Sequence, residues 1–152
     1  MPTINSLVKQ LRVDFPGVLF EQSDDFYYSP QSQTVFYTSG NLPRLLHELG
    51  HALLEHANYS RDIDLLKIER DAWIKARQLA LVYSVDITDD TVQDDLDSYR
   101  LWLHKRSLCP ECSANGLQTG IDTYRCLSCH TDWRVNEART CGLKRYKLKT
   151  PA

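Results

Sequence analysis

Several features that would assign a protein to a special class are missing from this sequence of 152 residues. Cysteine does not occur in the first 108 residues, so disulfide bonds cannot hold that part of the chain together. No apolar run approaches the length that crosses a bilayer, and the first residues lack the long apolar core of a signal peptide. Internal repeats and low-complexity segments are also missing. We therefore expect a cytoplasmic protein with no membrane partner.

The composition is that of a soluble globular protein, with 42% hydrophobic and 25% charged residues. Its net charge of −2 conceals an asymmetry between the two ends of the chain. Residues 1–100 carry 9 Lys/Arg and 16 Asp/Glu, a balance of −7, whereas residues 101–152 carry 9 and 4, a balance of +5. We expect one domain at 1–106 and a small basic module with the cysteines at 107–152.

Hydrophobic periodicity and capping residues predict an α+β fold. An amphipathic helix is expected over 4–15, followed by strands in "GVLFEQ" and "TVFYTS" that form a small antiparallel sheet, with turn residues "YYSPQSQT" beside them. Asn41 can cap the next helix, with Pro43 in its first turn, and this helix is expected to reach about Ala57. Two further helices complete the prediction, at 62–83 and 91–105.

The stretch "LLHELGHALLEH", residues 45–56, contains the pattern H-E-x-x-H. His47 and His51 are four residues apart, so on a helix they lie on one face, about one turn from each other. Two imidazoles at this spacing can bind one zinc ion, and Glu48 beside them can reach a water molecule on that ion. A buried apolar helix rarely holds three polar groups without a use for them. The pattern predicts a catalytic zinc site, and the alternative is histidines hydrogen-bonded on a structural helix.

A catalytic zinc site needs a third protein ligand, and the following helix offers one. His56 lies half a revolution around the helix from His47 and is expected to face away. If the two helices form an antiparallel hairpin, the level of the metal falls opposite about position 70. Glu69 has apolar neighbours at helical spacings, so it is predicted to point inward as the third ligand. Asp71 is expected at the surface or beside the ligands.

Four of the five cysteines form two C-x-x-C pairs, "CPEC" and "CLSC", separated by thirteen residues. This spacing is typical of a zinc ribbon with a closed, tetrahedral structural zinc site. Its four ligands are Cys109, Cys112, Cys126 and Cys129. Cys141 is left over and is expected to be a free thiol.

The cysteine module is also basic and aromatic, which allows contact with nucleic acid. The residues concerned are Arg125, Arg134, Lys144, Arg145, Lys147 and Lys149, with Tyr124 and Trp133. The charge is modest for nucleic-acid binding, so a small stabilising module is favoured. A role of the cysteine module in recognising a protein substrate is equally consistent with these residues.

Taken together, these motifs give residues 1–85 a resemblance to the ImmA/IrrE family of small zinc metallopeptidases. The segment "ERDAWIKA" is similar to that family's Glu-x-Glu/Asp-Ala pattern with a second alanine, filled here by Glu69, Asp71, Ala72 and Ala76. The chain departs from the family at Lys75, where an aromatic residue is usual, and at "LALVYS", where the family has a Leu-Met-Pro-like end. SprT-like proteases also join H-E-x-x-H to a zinc ribbon. They draw a third histidine from downstream, and none occurs here between positions 56 and 104.

The resemblance implies a minimal zincin-like metallopeptidase domain, whose metal-binding helix pairs with a following ligand helix, and a C-terminal zinc ribbon. Two Zn²⁺ per chain are expected, one catalytic and one structural. Family members often cleave transcriptional repressors, so the implied substrate is a protein or peptide of the DNA-binding regulator class. In the family's architecture, the strand before the metal-binding helix lines the cleft, so residues 35–37 would pair with an extended substrate.

The predicted function is an intracellular zinc metalloendopeptidase in which Glu48 acts as general base and returns the proton to the leaving amine. One alternative is a catalytically silent regulatory or nucleic-acid-binding protein that acts through its zinc ribbon. Another is a zinc hydrolase that acts on a non-peptide amide. Nothing in the sequence specifies an oligomeric state.

Metal analysis of the purified protein should give two zinc ions per chain. Glu69→Ala should lose one ion and Cys109→Ser the other, because each substitution removes one ligand. Glu48→Gln should keep both ions, since its carboxylate is not a ligand. A Glu69→Ala protein that retains two equivalents would show that this carboxylate does not bind the metal.

Overall fold

The computed structural model describes residues 2–139 and 141–149. Within these ranges the fold is α+β, as predicted, with four helices and seven short strands in two sheets. In chain order the elements are α1 (Ile4–Asp14), β1 (Leu19–Gln22), β2 (Tyr27–Ser29), β3 (Thr34–Tyr37), α2 (Leu42–Leu53), α3 (Asp62–Tyr83), α4 (Asp89–Ser107), β4 (Gly116–Gln118), β5 (Thr123–Cys126), β6 (Asp132–Val135) and β7 (Arg145–Lys147). Among the helices so described, none has both the length and the apolar character needed to cross a membrane.

The first sheet has the strand order β1–β3–β2 and packs against α2. It corrects two expectations. The segment predicted as turn residues contributes the strand β2, and the sheet is mixed, because β1 pairs with β3 in parallel while β2 pairs with β3 antiparallel. The rings of Tyr27 and Phe36 stack across β2 and β3 with centroids 4.4 Å apart. Such cross-strand aromatic pairs stabilise a sheet, which explains why this segment becomes a strand.

The helix α2 begins as predicted and ends earlier. The side-chain oxygen of Asn41 accepts from the backbone N–H of Arg44 at 3.1 Å, and a proline occupies the first turn. At the other end, Glu55 has a positive φ of 56°, and the backbone N–H of His56 donates to the carbonyl oxygen of His51 at 3.0 Å. This arrangement is a Schellman-type helix ending, which usually has glycine in the left-handed position. It reverses the chain directly after α2.

Gly50 determines how closely α2 approaches α3. A Cβ atom at position 50 would lie 2.6 Å from the carbonyl oxygen of Ala72 and 3.3 Å from its carbonyl carbon. Ala72 and Trp73 are buried at this contact. The helices can therefore meet at this level only because position 50 has no side chain.

The chain divides into two compact units, which are Met1–Asn58 with Lys67–Gln93, and Tyr59–Leu66 with Asp94–Ala152. This grouping differs from the predicted boundary after residue 106, because most of α4 and the start of α3 group with the cysteine module. The physical reason lies in the second unit. Arg106 of α4 donates to the carboxylate of Asp62 at 3.0 Å, and the same carboxylate accepts the hydroxyl of Tyr124 in β5.

The second unit contains the sheet β4–β5–β6–β7, which is antiparallel throughout. Its small core consists of Cys109, Tyr124, Cys126, Trp133 and Val135. The Nε1–H of Trp133 donates to the carbonyl oxygen of Arg106 at 3.0 Å, which attaches the sheet to the end of α4. The four strands and the tight cysteine turns are compatible with a zinc ribbon.

Gly50→Ala should lower the free energy of unfolding by about 1–3 kcal/mol, because the added methyl group overlaps a backbone carbonyl that cannot move away. This loss should exceed the gain of about 0.5–1 kcal/mol that alanine brings inside a helix. Denaturant unfolding followed by circular dichroism measures the difference.

Gly17→Ala is the matched control, since nothing lies within 4 Å of a Cβ at that position. It should change stability by about 0.5 kcal/mol or less. A Gly50→Ala protein as stable as the wild type would contradict the close packing of the two helices.

Candidate metal centres

Two imidazole rings and one carboxylate meet inside the first unit. The Nε2 atom of His47 lies 2.9 Å from Oε2 of Glu69 and 3.1 Å from Nε2 of His51, and Nε2 of His51 lies 3.4 Å from Oε1 of Glu69. All three side chains are buried. The structure therefore brings together the three residues that the sequence analysis named as ligands, and they form a group that could hold a metal ion.

The dimensions of this group fit one small metal ion. Zinc bonds of 2.0–2.1 Å in a tetrahedral site place neighbouring nitrogen and oxygen ligands about 3.3 Å apart. The observed separations of 2.9, 3.1 and 3.4 Å are within a few tenths of that value. A proton shared by two of these atoms provides a partner for the lone pairs of those two only, whereas a metal cation between all three provides a partner for each of them.

The surroundings favour the protonation states that metal binding requires. Burial lowers the pKa of His47 below its ordinary value and outweighs the effect of the nearby carboxylate, so this imidazole is neutral near pH 7. Burial opposes ionisation of Glu69, but its hydrogen bonds with His47 and His51 hold the pKa of this carboxyl group well below its usual range. Neutral imidazole and ionised carboxylate are the forms that bind metal.

The ring of His47 is fixed by packing rather than by a second hydrogen bond. It stacks on Trp73, with centroids 4.2 Å apart and an interplanar angle of 26°. Its Nδ1 atom is buried and has no hydrogen-bond partner among the described residues.

Glu48 and Asp71 have different environments. Glu48 is buried, and its carboxylate lies 3.4 Å from Nε of Arg44, one turn earlier on α2. Its role as general base stays a prediction. Asp71 lies outside the His-His-Glu group and forms an ion pair with Arg70 at 3.2 Å on the surface of α3.

His56 lies outside the His-His-Glu group, in agreement with its exclusion as a ligand, but the expectation that it faces away is wrong, because it contacts His51. Its Nδ1 lies 3.0 Å from Nδ1 of His51, the ring nitrogen on the side opposite the metal group, and the two rings meet edge to face. The cause is the left-handed residue Glu55, which ends the helix and folds the next side chain back. Sequence reasoning missed this contact because it continued the helix to about position 57, and no glycine marked the turn.

A cleft of about 410 Å³ opens beside the C-terminal end of α2. It is lined on one side by Ala52, Leu53 and His56, and on the other by Tyr28 and Gln33, which lie in β2 and in the turn after it. Burial and the charge of Glu55 raise the pKa of Tyr28, so its hydroxyl group stays protonated over the physiological range. The cleft thus offers a hydroxyl donor close to the metal-binding helix.

The four cysteines of the C-x-x-C pairs also converge. Sγ of Cys109 lies 3.6 Å from Sγ of Cys129, and Sγ of Cys112 lies 3.5 Å from Sγ of Cys126. These separations exclude disulfide bonds of about 2.05 Å and approach the value of about 3.8 Å expected for sulfurs around one zinc ion. Cys141 is exposed, forms no disulfide bond and lies outside the four-cysteine group.

Local donors stabilise the thiolate form of the second cysteine pair. The backbone N–H groups of Cys129 and Ser128 point to Sγ of Cys126 at 3.4 and 3.3 Å, and they lower the pKa of that thiol despite its burial. Hydrogen bonds with Thr131 lower the pKa of Cys129 to about 6. Thiolates are the form that binds metal, so this turn is prepared for an ion.

Much of the basic surface named above is engaged within the second unit. Arg125 forms an ion pair with Asp132 at 2.8 Å, and Lys147 pairs with Glu111. Arg145 donates to the carbonyl oxygen of Leu108 at 2.6 Å. These contacts reduce the positive charge that phosphate groups could meet. The nucleic-acid interface stays a prediction, and no geometric feature of the described residues favours it.

Compared with models of protein families, with curated proteins and with solved structures, the chain has no match in any of the three. The resemblance to the ImmA/IrrE family therefore stays an expectation. The geometry of the two side-chain groups carries the functional argument.

His130→Gly should raise the free energy of unfolding by about 1 kcal/mol, because the left-handed conformation is strained for a residue with a side chain. His130 has a φ of 62° at the end of the second cysteine turn, where its N–H donates to the carbonyl oxygen of Cys126 at 3.0 Å. Denaturant unfolding of the zinc-loaded protein provides the measurement.

Ser128→Gly lies in the same turn and is the matched control, since Ser128 is not among the residues with positive φ. It should lower stability by about 0.4–1 kcal/mol through greater freedom of the unfolded chain. If His130→Gly is also less stable than the wild type, the strain argument fails.

Proposed function

We propose that this protein is a zinc-dependent metalloendopeptidase whose active site is the His47, His51 and Glu69 group, with the four-cysteine site as a second, structural zinc centre. The observation that carries the proposal is the convergence of two imidazole nitrogens and one carboxylate within 3.4 Å, in a buried group whose helix α2 also lines an open cleft through Ala52 and Leu53. Three protein ligands leave a fourth position for water and substrate, which is the pattern of catalytic rather than structural zinc.

The ligand types support zinc in both centres. Two imidazoles with one carboxylate, and four thiolates, are sets that zinc occupies readily. When bound at the first site, zinc lowers the pKa of water toward about 7 and polarises a carbonyl group. The role of the chain is to keep His47 neutral and Glu69 ionised. Burial and the mutual hydrogen bonds favour those states.

Glu48 is the general base in this proposal. It follows His47 directly on α2, and its buried carboxylate forms an ion pair with Arg44 at 3.4 Å. In this role Glu48 accepts a proton from the attacking water and then donates it to the leaving amine, so the carboxyl group ends the cycle as it began.

The topology of the first sheet changes where a substrate would lie. Residues 35–37 cannot pair with it, because β3 is central and already hydrogen-bonded to β1 and β2. The edge strand β2 packs on α2, and its Tyr28 lines the cleft. An extended peptide would therefore add to the outer edge of β2, with the hydroxyl of Tyr28 available as a donor to its carbonyl groups.

The resemblance to ImmA/IrrE proteins supports the same proposal and suggests a DNA-binding regulatory protein as the substrate class. A catalytically silent protein that acts through its ribbon is the competing hypothesis, and it gives no reason for burying both Glu48 and Glu69. A hydrolase that acts on a non-peptide amide would use the same ligands, so cleavage products decide between the two.

Glu48→Gln should slow cleavage by about 100-fold or more while both zinc ions remain bound, because it removes the proton acceptor and no ligand. Wild-type and variant proteins are each incubated with a native protein extract of the source cells. New N-termini are then quantified by mass spectrometry, and metal content is measured on the same samples.

Asp71→Asn is the control, since it removes a surface carboxylate close to Glu69 in sequence but outside the metal group. It should cleave the same bonds at the wild-type rate. New N-termini produced equally by wild type and Glu48→Gln would contradict the assigned mechanism.

A further inference from the structure

We infer that His56 is a positioning residue for the metal site, in which its Nδ1 atom accepts the Nδ1–H of His51 and fixes the orientation and tautomer of that ligand. The inference rests on the part of the proposed function that binds a divalent metal between His47, His51 and Glu69. It does not depend on peptide hydrolysis.

The tautomer follows from the directions of the ring atoms. Nε2 of His51 faces the metal group, 3.1 Å from Nε2 of His47 and 3.4 Å from Oε1 of Glu69. A nitrogen that binds metal carries no proton, so the proton of a neutral His51 ring resides on Nδ1. Nδ1 of His56 lies 3.0 Å from Nδ1 of His51, within hydrogen-bond distance of that N–H. It must be the acceptor, and the proton of His56 then resides on its Nε2.

The second nitrogen of a metal-binding histidine usually donates to an outer group, and this bond orients the ring and strengthens the ligand. The rings of the two histidines in this site are oriented by different contacts. His47 is held by stacking on Trp73, and its Nδ1 has no partner among the described residues. His51 lies in the last turn of α2 and takes its outer partner, His56, from the chain that follows.

The backbone places His56 for this contact. The residue before it, Glu55, adopts a φ of 56°, and the N–H of His56 donates to the carbonyl oxygen of His51 at 3.0 Å. The same residue pair is thus joined twice, once through the backbone and once through the rings. This double attachment makes the position of the acceptor part of the helix ending.

The test uses the full chain with one equivalent of zinc in the cysteine site and Co²⁺ titrated into the other. Cobalt in a histidine–carboxylate site gives visible d–d bands that report ligand geometry, and a thiolate charge-transfer band would reveal cobalt in the cysteine site instead. His56→Leu and His56→Ala remove the acceptor. His56→Asn can place a carbonyl oxygen close to the position of Nδ1, and His104→Leu changes an exposed histidine as a control.

Wild-type protein and His104→Leu should bind cobalt equally. His56→Leu and His56→Ala should bind about 10-fold to 100-fold more weakly and show shifted d–d bands. His56→Asn should restore both the affinity and the spectrum. Thermal unfolding of the cobalt-free proteins should be similar for all five, because the side chain of His56 is partly exposed.

Wild-type affinity and an unchanged spectrum in His56→Leu and His56→Ala would overturn this inference and leave the proposed metal site intact. Loss in both variants without rescue by His56→Asn would show that His56 acts through its bulk, which also overturns it. A wild-type protein that binds no cobalt beyond the cysteine site would overturn the proposed function together with this inference.

Discussion

The contact between a buried carboxylate and two imidazole rings is the interaction on which the first unit depends. Glu69 sits among apolar neighbours, where an ionised group is costly unless it is paired. The rings of His47 and His51 supply that pairing, and a divalent ion between them would complete it. The requirement explains the rest of the local packing. Gly50 lets α2 and α3 approach until the three side chains meet. Trp73 stacks on the ring of His47, which is fully buried.

The second unit is built on a similar constraint. Asp62 is only slightly exposed, and its carboxylate is shared by Arg106 and Tyr124. The guanidinium of Arg106 also stacks on Trp102 at 4.6 Å. A cysteine module of this size has a small core of its own, so these contacts enlarge it with part of α4 and the start of α3. The helix α3 therefore contributes one paired carboxylate to each unit, Glu69 to the first and Asp62 to the second.

Elements that depend on local chemistry could be predicted well. The asparagine cap of α2 and the inward direction of Glu69 follow from the side chains themselves and from helical periodicity. Errors arose where the decisive partner is distant in sequence or where a residue adopts an unusual conformation. β2 forms because Tyr27 stacks on Phe36 across the sheet. The predicted end of α2 was wrong because Glu55 adopts the left-handed conformation at a position where glycine usually marks the end of a helix.

The sequence by itself determined the donor chemistry of this protein, because the spacings H-E-x-x-H and C-x-x-C fix which side chains share one helical face or one tight turn. Only the tertiary structure decided how those donors are completed. The distance between α2 and α3, set by contact of Gly50 with the backbone of Ala72, places Glu69 against both histidines. The reversal at Glu55 brings His56 onto His51. Both depend on the path of the backbone through space, which no periodicity along a single helix encodes.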